Sequence, residues 1–310
     1  MRAVIIGAVE SSRIAAERLS EAPGWDIAGI VSLPTELARR HSDFVDLAPT
    51  AERAGCPLIC VENANSEEAI AQIAALAPDF LFVIGWSQLC GERLMDLAPG
   101  RVVGFHPAPL PRLRGRGVIP WTILLDEPIT ASTIFLIDGG TDTGPILAQR
   151  FFHVAPDETA ATLYAKHMAA LAEILPRVLS DLADGTAAAV PQDPRLATWA
   201  ARRRPEDGEI DWSGSAEAAW RQVRACGDPY PGARATYRDE PIVIKHAQIV
   251  SLAGHRAGIV GQVVERGNKG FTVRCGDGNG LLVHDWQWSR PGPPPLHSKL
   301  AVRAGGCGCR

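Results

Sequence analysis

Short apolar runs alternate with amphipathic segments at the start of the chain, and this alternation constrains the fold more than any other feature. The apolar runs lie at 1–7, 27–32, 58–61 and 80–84, and segments with apolar residues at helical spacing lie between them, at 11–22, 46–54 and 66–76. Strands that are apolar throughout are buried on both faces. The pattern therefore predicts an α/β fold with a doubly wound, mostly parallel sheet, in which ligands bind at the carboxyl ends of the strands.

The turn after the first apolar run argues against one common function of such folds. It reads G-A-V-E-S from Gly7 to Ser11 and lacks the G-x-G-x-x-G pattern that lets a backbone approach a pyrophosphate. A nicotinamide-dependent oxidoreductase is therefore disfavoured.

Two ionisable residues stand out between Val102 and Leu147. His106 directly follows an apolar run, and Asp142 lies in a Gly-rich turn after another apolar run. Loops at strand ends often carry catalytic groups, and a carboxylate can orient a histidine that exchanges protons near neutral pH. Such a pair suits acyl transfer, although a loop histidine and a turn-forming aspartate would show the same pattern.

The residues around this pair carry a more specific signal. The stretch from His106 to Gly115 reads H-P-A-P-L-P-R-L-R-G, and the stretch from Asp138 to Gly144 reads D-G-G-T-D-T-G. Together they resemble the folate-dependent formyltransferase family. The resemblance implies an N-formyltransferase that uses 10-formyltetrahydrofolate as co-substrate, with His106 stabilising the formyl oxygen and moving protons and Asp142 orienting the imidazole.

The same resemblance implies where the pterin ring of the folate binds. The segment G-W-S-Q-L-C follows the apolar run at 80–84, and in the family this segment lies beside the pterin. A flat heteroaromatic ring needs apolar walls and a few fixed polar groups. Trp86 and Leu89 could instead fill the core. The residues expected to form the pocket are Trp86, Leu89, Cys90, Asp138, Gly139, Gly140 and Thr141.

One position departs from the family pattern. Most members carry an asparagine two residues before the histidine, where its amide stabilises the oxyanion, whereas this chain has Gly104. Loss of one oxyanion donor costs roughly 10² to 10³ in rate. Ser87 and Gln88 carry donors on the neighbouring strand end and are expected to replace it. A different one-carbon chemistry and a loss of catalysis are the alternatives.

A basic loop separates the two halves of the motif. Arg112, Arg114 and Arg116 alternate with other residues, and guanidinium groups pair well with phosphate and carboxylate. We expect these arginines to bind an anionic acceptor or the glutamate tail of folate. A solvated basic turn is the simpler alternative.

The rest of the chain indicates a second domain. Five short strand-like runs, at 233–237, 242–249, 258–265, 271–275 and 281–286, predict a small β-barrel of the oligonucleotide-binding type. The stretches 203–212 and 228–233 resemble the start of the carboxyl-terminal domain of methionyl-tRNA formyltransferases. We therefore expect a formyltransferase catalytic domain at 1–190, a linker at 191–206, the barrel at 207–290 and a disordered tail at 291–310.

The distribution of charge along the chain helps to rank the candidate formyl acceptors. Residues 200–310 hold 16 Lys and Arg against 11 Asp and Glu, and the whole chain has a net charge of −4. This surplus is modest for a tRNA platform. The sequence therefore favours a small, anionic amine, either an amino-sugar nucleotide or an amino-acid-derived metabolite. Initiator tRNA is the second candidate, and a nucleic-acid-binding module with a degenerate enzyme domain is the third.

The remaining expectations concern location and metal. No apolar run approaches the roughly 18 residues of a membrane span, and the amino terminus opens directly into a strand. A cytoplasmic protein without a membrane partner is expected, while the oligomeric state is open. Seven scattered cysteines indicate reduced thiols. Cys307 and Cys309 could chelate a metal but have no histidine at ligand spacing, so no metal site is predicted.

Overall fold

The computed structural model describes residues 1–40, 42–252 and 257–301. These residues divide into two compact units. The first contains the described residues of 1–118, 128–154 and 164–201, and the second contains those of 119–127, 155–163 and 202–301. The helices of the chain are α1 (Glu10–Glu21), α2 (Ala48–Ala54), α3 (Glu67–Ala75), α4 (Glu92–Met95), α5 (Val118–Leu124), α6 (Ala160–Ala183) and α7 (Ala216–Cys226). Short 3₁₀ turns lie at Thr35–Arg40, Pro194–Leu196 and Pro205–Gly208.

The first unit is built on a seven-stranded sheet. The strands of this unit are β1 (Arg2–Ile6), β2 (Asp26–Ser32), β3 (Leu58–Cys60), β4 (Phe80–Val83), β5 (Val102–His106), β6 (Arg114–Gly115), β7 (Ile129–Leu136), β8 (Ile146–His153) and β9 (Trp199–Ala200). The sheet order is β3-β2-β1-β4-β5-β7-β8, and β1 to β5 pair in parallel while β7 is antiparallel to both neighbours. The predicted mostly parallel α/β sheet is confirmed.

Apolar clusters cover both faces of this sheet. On one face, residues of α1, α2 and α6 pack against β1 and β4, with Leu19, Leu171 and Phe82 fully buried. On the other face, residues of α3 and α4 pack against the same strands, with Ile73 and Ile6 fully buried. Two-sided burial explains why these strands are apolar throughout. It also leaves the carboxyl ends of β4 and β5 as the place where polar loops gather.

The segment from 191 to 206, predicted to be a linker, is more ordered than that prediction implied. Strand β9 pairs in parallel with β6, with Arg114 opposite Trp199 and Gly115 opposite Ala200. The segment is rich in Pro, Ala, Arg and Asp and shows no strand periodicity. Its order comes from pairing with a loop that is distant in sequence, so the local sequence does not predict it.

The second unit contains a five-stranded antiparallel sheet. Its strands are β10 (Ala233–Tyr237), β11 (Glu240–Val250), β12 (Val263–Gly267), β13 (Gly270–Arg274) and β14 (Gly280–Gln287), in the order β10-β11-β14-β13-β12. Helix α7 packs its buried face, including Ala219 and Val223, into the core of this unit. The structure confirms the five predicted strands, although the third lies at Val263–Gly267 rather than at 258–265, and it shows that their arrangement is antiparallel.

The predicted disordered tail is wrong for residues 291–301. Ala301 exchanges backbone hydrogen bonds with Thr236 of β10, at 2.8 and 2.9 Å. At the opposite edge of the sheet, Val263 of β12 donates to the carbonyl of Ser298 at 2.9 Å. The tail thus links the two edge strands and satisfies backbone groups that would otherwise stay open. Residues 302–310, with Cys307 and Cys309, lie outside the described residues.

Leu300 fastens this tail, which leads to a testable prediction. Its side chain is 1% exposed and lies in the core of the second unit. We expect Leu300→Ala to lower the free energy of unfolding by about 2 to 5 kcal/mol, measured by urea denaturation, because a buried leucine is replaced by a cavity. Leu296→Ala is the matched control, since Leu296 is 46% exposed. Equal stability of both variants would show that the tail does not hold the sheet together.

None of the helices formed by the described residues is both long and apolar enough to cross a membrane.

Candidate active site

His106 ends strand β5 and is almost enclosed by the protein. The residue is 6% exposed and pairs with Thr133 of the neighbouring strand β7. Its Nε2 lies 2.7 Å from the carbonyl oxygen of Leu113. A carbonyl oxygen only accepts hydrogen bonds, so Nε2 carries the proton and donates it. The other ring nitrogen, Nδ1, is therefore the one that faces Asp142.

Asp142 is brought to the other side of this imidazole. Its Oδ2 lies 3.7 Å from Nδ1 of His106, and its side chain is 21% exposed. The same oxygen accepts a hydrogen bond from the backbone N–H of Gly115 at 2.9 Å. The distance to His106 is that of an ion pair rather than of a hydrogen bond. The carboxylate can therefore orient the ring and stabilise it when it is protonated.

The loop that carries Asp142 is tightly folded. The carboxylate of Asp138 accepts hydrogen bonds from the N–H of Gly140 at 3.0 Å and from the hydroxyl of Thr143. Asp142 adopts a φ of 52°, which aspartate tolerates better than most residues. Gly144 closes the loop, because a Cβ atom there would lie 1.7 Å from the carbonyl oxygen of Leu136.

A cleft of about 660 Å³, including its open mouth, lies beside the pair. Its walls come from the ends of β4 and β5, from β7 and from the loop at 138–142. All seven residues predicted to bind the pterin line this cleft, namely Trp86, Leu89, Cys90, Asp138, Gly139, Gly140 and Thr141. Asp142 also lines the cleft, whereas His106 is not among the lining residues and has its Nε2 bonded to the carbonyl of Leu113.

The chemistry of this cleft fits a flat heteroaromatic ring. Val83, Phe135 and Ile137 supply apolar walls, and Gly139 and Gly140 bring bare backbone to the surface. The indole N–H of Trp86 is buried and has no hydrogen-bond partner within the described residues. Burial raises the pKa of the Cys90 thiol to about 11, so this thiol stays neutral and serves as part of the wall rather than as a nucleophile.

Gly104 also lines the cleft, and the structure shows why no larger side chain stands there. A Cβ atom at this position would lie 2.9 Å from the ring of Phe135 and 2.9 Å from Cγ1 of Ile137. The space that an asparagine side chain would need is thus filled by two apolar residues. The expected oxyanion donor is missing from this position for a steric reason.

The two proposed replacement donors differ in where they lie. Gln88 lines the cleft, but its amide donates to the carbonyl of Glu62 at 2.7 Å and accepts from the N–H of Ala64 at 3.3 Å. Ser87 is partly buried and does not line the cleft. Gln88 still has a second amide hydrogen, so it is the better of the two candidates for this role.

The three arginines of the basic loop differ in their exposure to solvent. Arg112 and Arg116 are exposed. Arg114 is 5% exposed, and its guanidinium donates to Oε1 of Gln192 at 3.1 and 2.7 Å and lies over the ring of Trp199 at 5.7 Å. The prediction that Arg114 binds substrate is therefore wrong. Arg114 braces the loop, because its side chain points toward the segment that carries β9.

A second histidine lies nearby but has different chemistry. His167 is fully buried, and its Nδ1 lies 2.9 Å from the hydroxyl of Ser132. Burial, with a smaller contribution from the charge of His106, lowers the pKa of His167 to about 3. This imidazole is neutral at physiological pH and does not act as a second acid.

The residues that the sequence analysis missed lie in the supposed linker. Gln192 donates to the backbone carbonyls of Asp142 and Gly144 at 2.9 and 2.7 Å. The hydroxyl of Thr198 accepts a hydrogen bond from the N–H of Leu113 at 2.9 Å. No periodicity marks these residues, and only the fold brings them to His106 and Asp142.

The geometry above agrees with the comparisons with known proteins. The Formyl transferase model matches residues 12–179, and the model of the formyl transferase carboxyl-terminal domain matches residues 203–291. The chain belongs to the formyl transferase family. The resemblance of the motifs at 106–115 and 138–144 is thereby confirmed, and the protein is a formyl-transferring enzyme.

One sequence relative and two solved structures show what the chain is similar to. The chain is 33% identical to the methionyl-tRNA formyltransferase of Akkermansia muciniphila, over 84% of each chain. An N-formyltransferase from Helicobacter canadensis, solved with folinic acid and dTDP-3-aminofucose, superposes with a TM-score of 0.65 at 16% identity, over 91% of this chain and 98% of that one. HypX from Aquifex aeolicus with tetrahydrofolic acid superposes with a TM-score of 0.65 at 17% identity, over 94% of this chain and 44% of that one. The two solved structures share the fold.

Proposed function

We propose that the enzyme transfers a formyl group from 10-formyltetrahydrofolate to the amine of a small, anionic acceptor, with His106 and Asp142 as its catalytic pair. The observation that carries this proposal is the 3.7 Å approach of Asp142 Oδ2 to His106 Nδ1 beside the cleft that Trp86 and the loop at 138–142 line. The donor supplies an activated formyl group, and the pterin-binding residues are those that line the cleft.

The contribution of His106 follows from its hydrogen bonds. Its Nε2–H donates to the carbonyl of Leu113, so in this structure the hydrogen is held by the protein rather than directed into the cleft. Donors directed at an oxygen that gains negative charge are a major source of catalysis in acyl transfer. The imidazole reaches the reacting group when the loop carrying Leu113 releases this hydrogen bond. Asp142, across the ring, stabilises the protonated imidazole while a proton moves.

Because this chain lacks the family asparagine, another group must supply part of the oxyanion stabilisation. Gly104 offers no side-chain donor, and Phe135 fills the adjoining space. In this proposal the second amide hydrogen of Gln88 and the N–H of His106 share the task.

Two exposed arginines support an anionic acceptor. Arg112 and Arg116 flank the two residues that contact the catalytic pair, since Leu113 accepts from His106 and Gly115 donates to Asp142. Guanidinium groups at this place would bind a phosphate or carboxylate close to the reacting amine. A nucleotide-linked amino sugar or an amino-acid-derived metabolite has this combination of groups.

Initiator tRNA is the competing candidate, and the sequence relatives favour it over a small acceptor. A further methionyl-tRNA formyltransferase, from Anaeromyxobacter dehalogenans, is 32% identical over 91% of each chain. The charge of the chain favours the small acceptor, because residues 200–310 have a surplus of only five positive charges, from 16 basic and 11 acidic residues. A tRNA platform must neutralise several phosphates.

One experiment tests the donor and ranks the acceptors. The purified enzyme is incubated with 10-formyltetrahydrofolate and a panel of amines that includes nucleotide-linked amino sugars, amino acids and methionyl initiator tRNA, and products are detected by mass. We expect a formylated small amine whose formation changes little with salt. Formylation of tRNA alone, with a KM that rises steeply between about 50 and 200 mM salt, would replace the small acceptor by tRNA. Absence of folate binding would defeat the donor assignment.

A further inference from the structure

Gln192 connects three parts of the site through one side-chain amide. Its Nε2 donates to the backbone carbonyls of Asp142 and Gly144, at 2.9 and 2.7 Å. Its Oε1 accepts both hydrogen bonds from the buried guanidinium of Arg114, at 2.7 and 3.1 Å. The residue itself is partly buried and follows the long helix α6 by nine residues.

The orientation of this amide is set from both sides. Arg114 has only donors, so it needs the amide oxygen, and the two backbone carbonyls only accept, so they need the amide nitrogen. An amide is the one side-chain group that offers an acceptor and two donors in this arrangement. A carboxylate of the same shape would keep the contact with Arg114 but would face two carbonyl oxygens with no hydrogen to donate.

The contacts of Gln192 close a ring around Asp142. Gln192 holds the backbone of Asp142 directly. Gln192 also holds Arg114, and the next residue, Gly115, donates its N–H to Oδ2 of Asp142 at 2.9 Å. The backbone and the carboxylate of Asp142 are therefore tied to the same amide, one directly and one through Arg114 and Gly115. Asp142 needs such support because its own φ of 52° lies in a sparsely populated region.

We infer that Gln192 is a positioning residue, which holds the carboxylate of Asp142 at its distance from His106. This inference rests on the proposed catalytic role of the His106 and Asp142 pair. Gln192 does not touch the reacting groups, and it acts on the reaction only through Asp142. Misplacement of a catalytic group by about 1 Å can cost roughly 10² in rate.

The central test compares three variants of the full-length enzyme. Gln192→Glu keeps the shape and the arginine contact but loses both donors, and Gln192→Ala loses all four hydrogen bonds. Arg195→Ala is the control in the same segment, because its side chain is 86% exposed and bonds to Asp193. We expect both Gln192 variants to lower kcat about 10- to 100-fold with less than about a threefold change in the KM of the donor, and Arg195→Ala to behave as wild type.

A double-mutant cycle separates positioning from a general structural role. If Gln192 acts through Asp142, the substitution Gln192→Glu should lower kcat by less than about threefold further in an Asp142→Asn background. An equal loss in both backgrounds would overturn the inference, because Gln192 would then act independently of the carboxylate. Wild-type kcat in the Gln192→Glu single variant would also overturn it.

A second readout needs no acceptor and so separates this inference from the proposed function. Hydrogen exchange of the Gly115 amide reports its hydrogen bond to Asp142, and exchange should accelerate about tenfold or more in both Gln192 variants but not in Arg195→Ala. Unchanged exchange would overturn the positioning role even if no enzyme variant formed product. Accelerated exchange together with an inactive wild-type enzyme would defeat the proposed function and leave Gln192 as the residue that holds Asp142.

Discussion

His106→Ala is expected to lower kcat for formyl transfer by about 10² to 10⁴, with a much smaller change in KM. The reason is chemical: in the proposed mechanism the Nε2–H meets the formyl oxygen once it leaves the carbonyl of Leu113, and alanine has no group that could replace it. Because the walls of the cleft come from other residues, donor binding should survive. Steady-state kinetics over a range of donor concentrations separate the two parameters.

Asp142→Asn belongs to the same prediction and tests the other half of the pair. The amide can still accept the hydrogen bond from Gly115, but it has no charge with which to stabilise a protonated imidazole. We expect a loss in kcat that again exceeds the rise in KM. His153→Ala, at an exposed histidine at the end of β8, is the control for loss of an imidazole as such. An unchanged kcat in His106→Ala would remove this residue from the mechanism.

Gly144→Ala is the subject of the second prediction with a large expected effect. The added Cβ atom would lie 1.7 Å from the carbonyl oxygen of Leu136 and 2.9 Å from its carbonyl carbon, and backbone atoms of strand β7, which is paired on both sides, cannot move aside cheaply. Overpacking of this kind costs about 1 to 3 kcal/mol or more. The loop must then shift, and Asp142 moves with it, so we expect a fall of about 10² in kcat together with a lower Tm.

The matched control for Gly144 lies in the same loop. A Cβ atom at Gly139 would meet nothing within 4 Å, so Gly139→Ala should change the free energy of unfolding by less than about 0.5 kcal/mol. Differential scanning calorimetry of both variants makes the comparison. Equal melting temperatures would mean that the loop has more freedom than its contacts with Leu136 indicate.

The kcat of Gly144→Ala also tests the roles proposed for Asp142 and Gln192. If Gly144→Ala retains full kcat, the distance between Asp142 and His106 does not control the rate. That outcome would weaken the roles assigned to both Asp142 and Gln192, because Gln192 holds the same two carbonyls at 142 and 144.

Several features of the site could be predicted from local sequence. Strands β1, β4 and β5 were visible as apolar runs because both faces of the sheet are covered. His106 and Asp142 stood out because each follows such a run and lies in a motif of Gly and Pro. The residues expected to bind the pterin came from the family resemblance, and the structure places all of them around one cleft.

Other features had no local signal. Arg114 looked like its neighbours Arg112 and Arg116, and only the pairing of β6 with β9 shows that its side chain is buried. Gly104 in the sequence indicates that the oxyanion donor of the family asparagine is missing. Only the structure shows that the ring of Phe135, on another strand, fills the space of that side chain. Leu300 lay in a Pro- and Gly-rich tail, where its burial depends on two edge strands that each need a backbone partner.

The sequence by itself determined the class of fold, the family motifs and the identity of the two ionisable groups, because periodicity and motif spacing are local properties of the chain. Tertiary structure decided how those groups are held. Gln192 and Thr198 reach the site from a segment without periodicity, and their role depends on hydrogen bonds between loops that are 48 to 85 residues apart. Such contacts follow from the packing of whole elements, which no short stretch of sequence encodes.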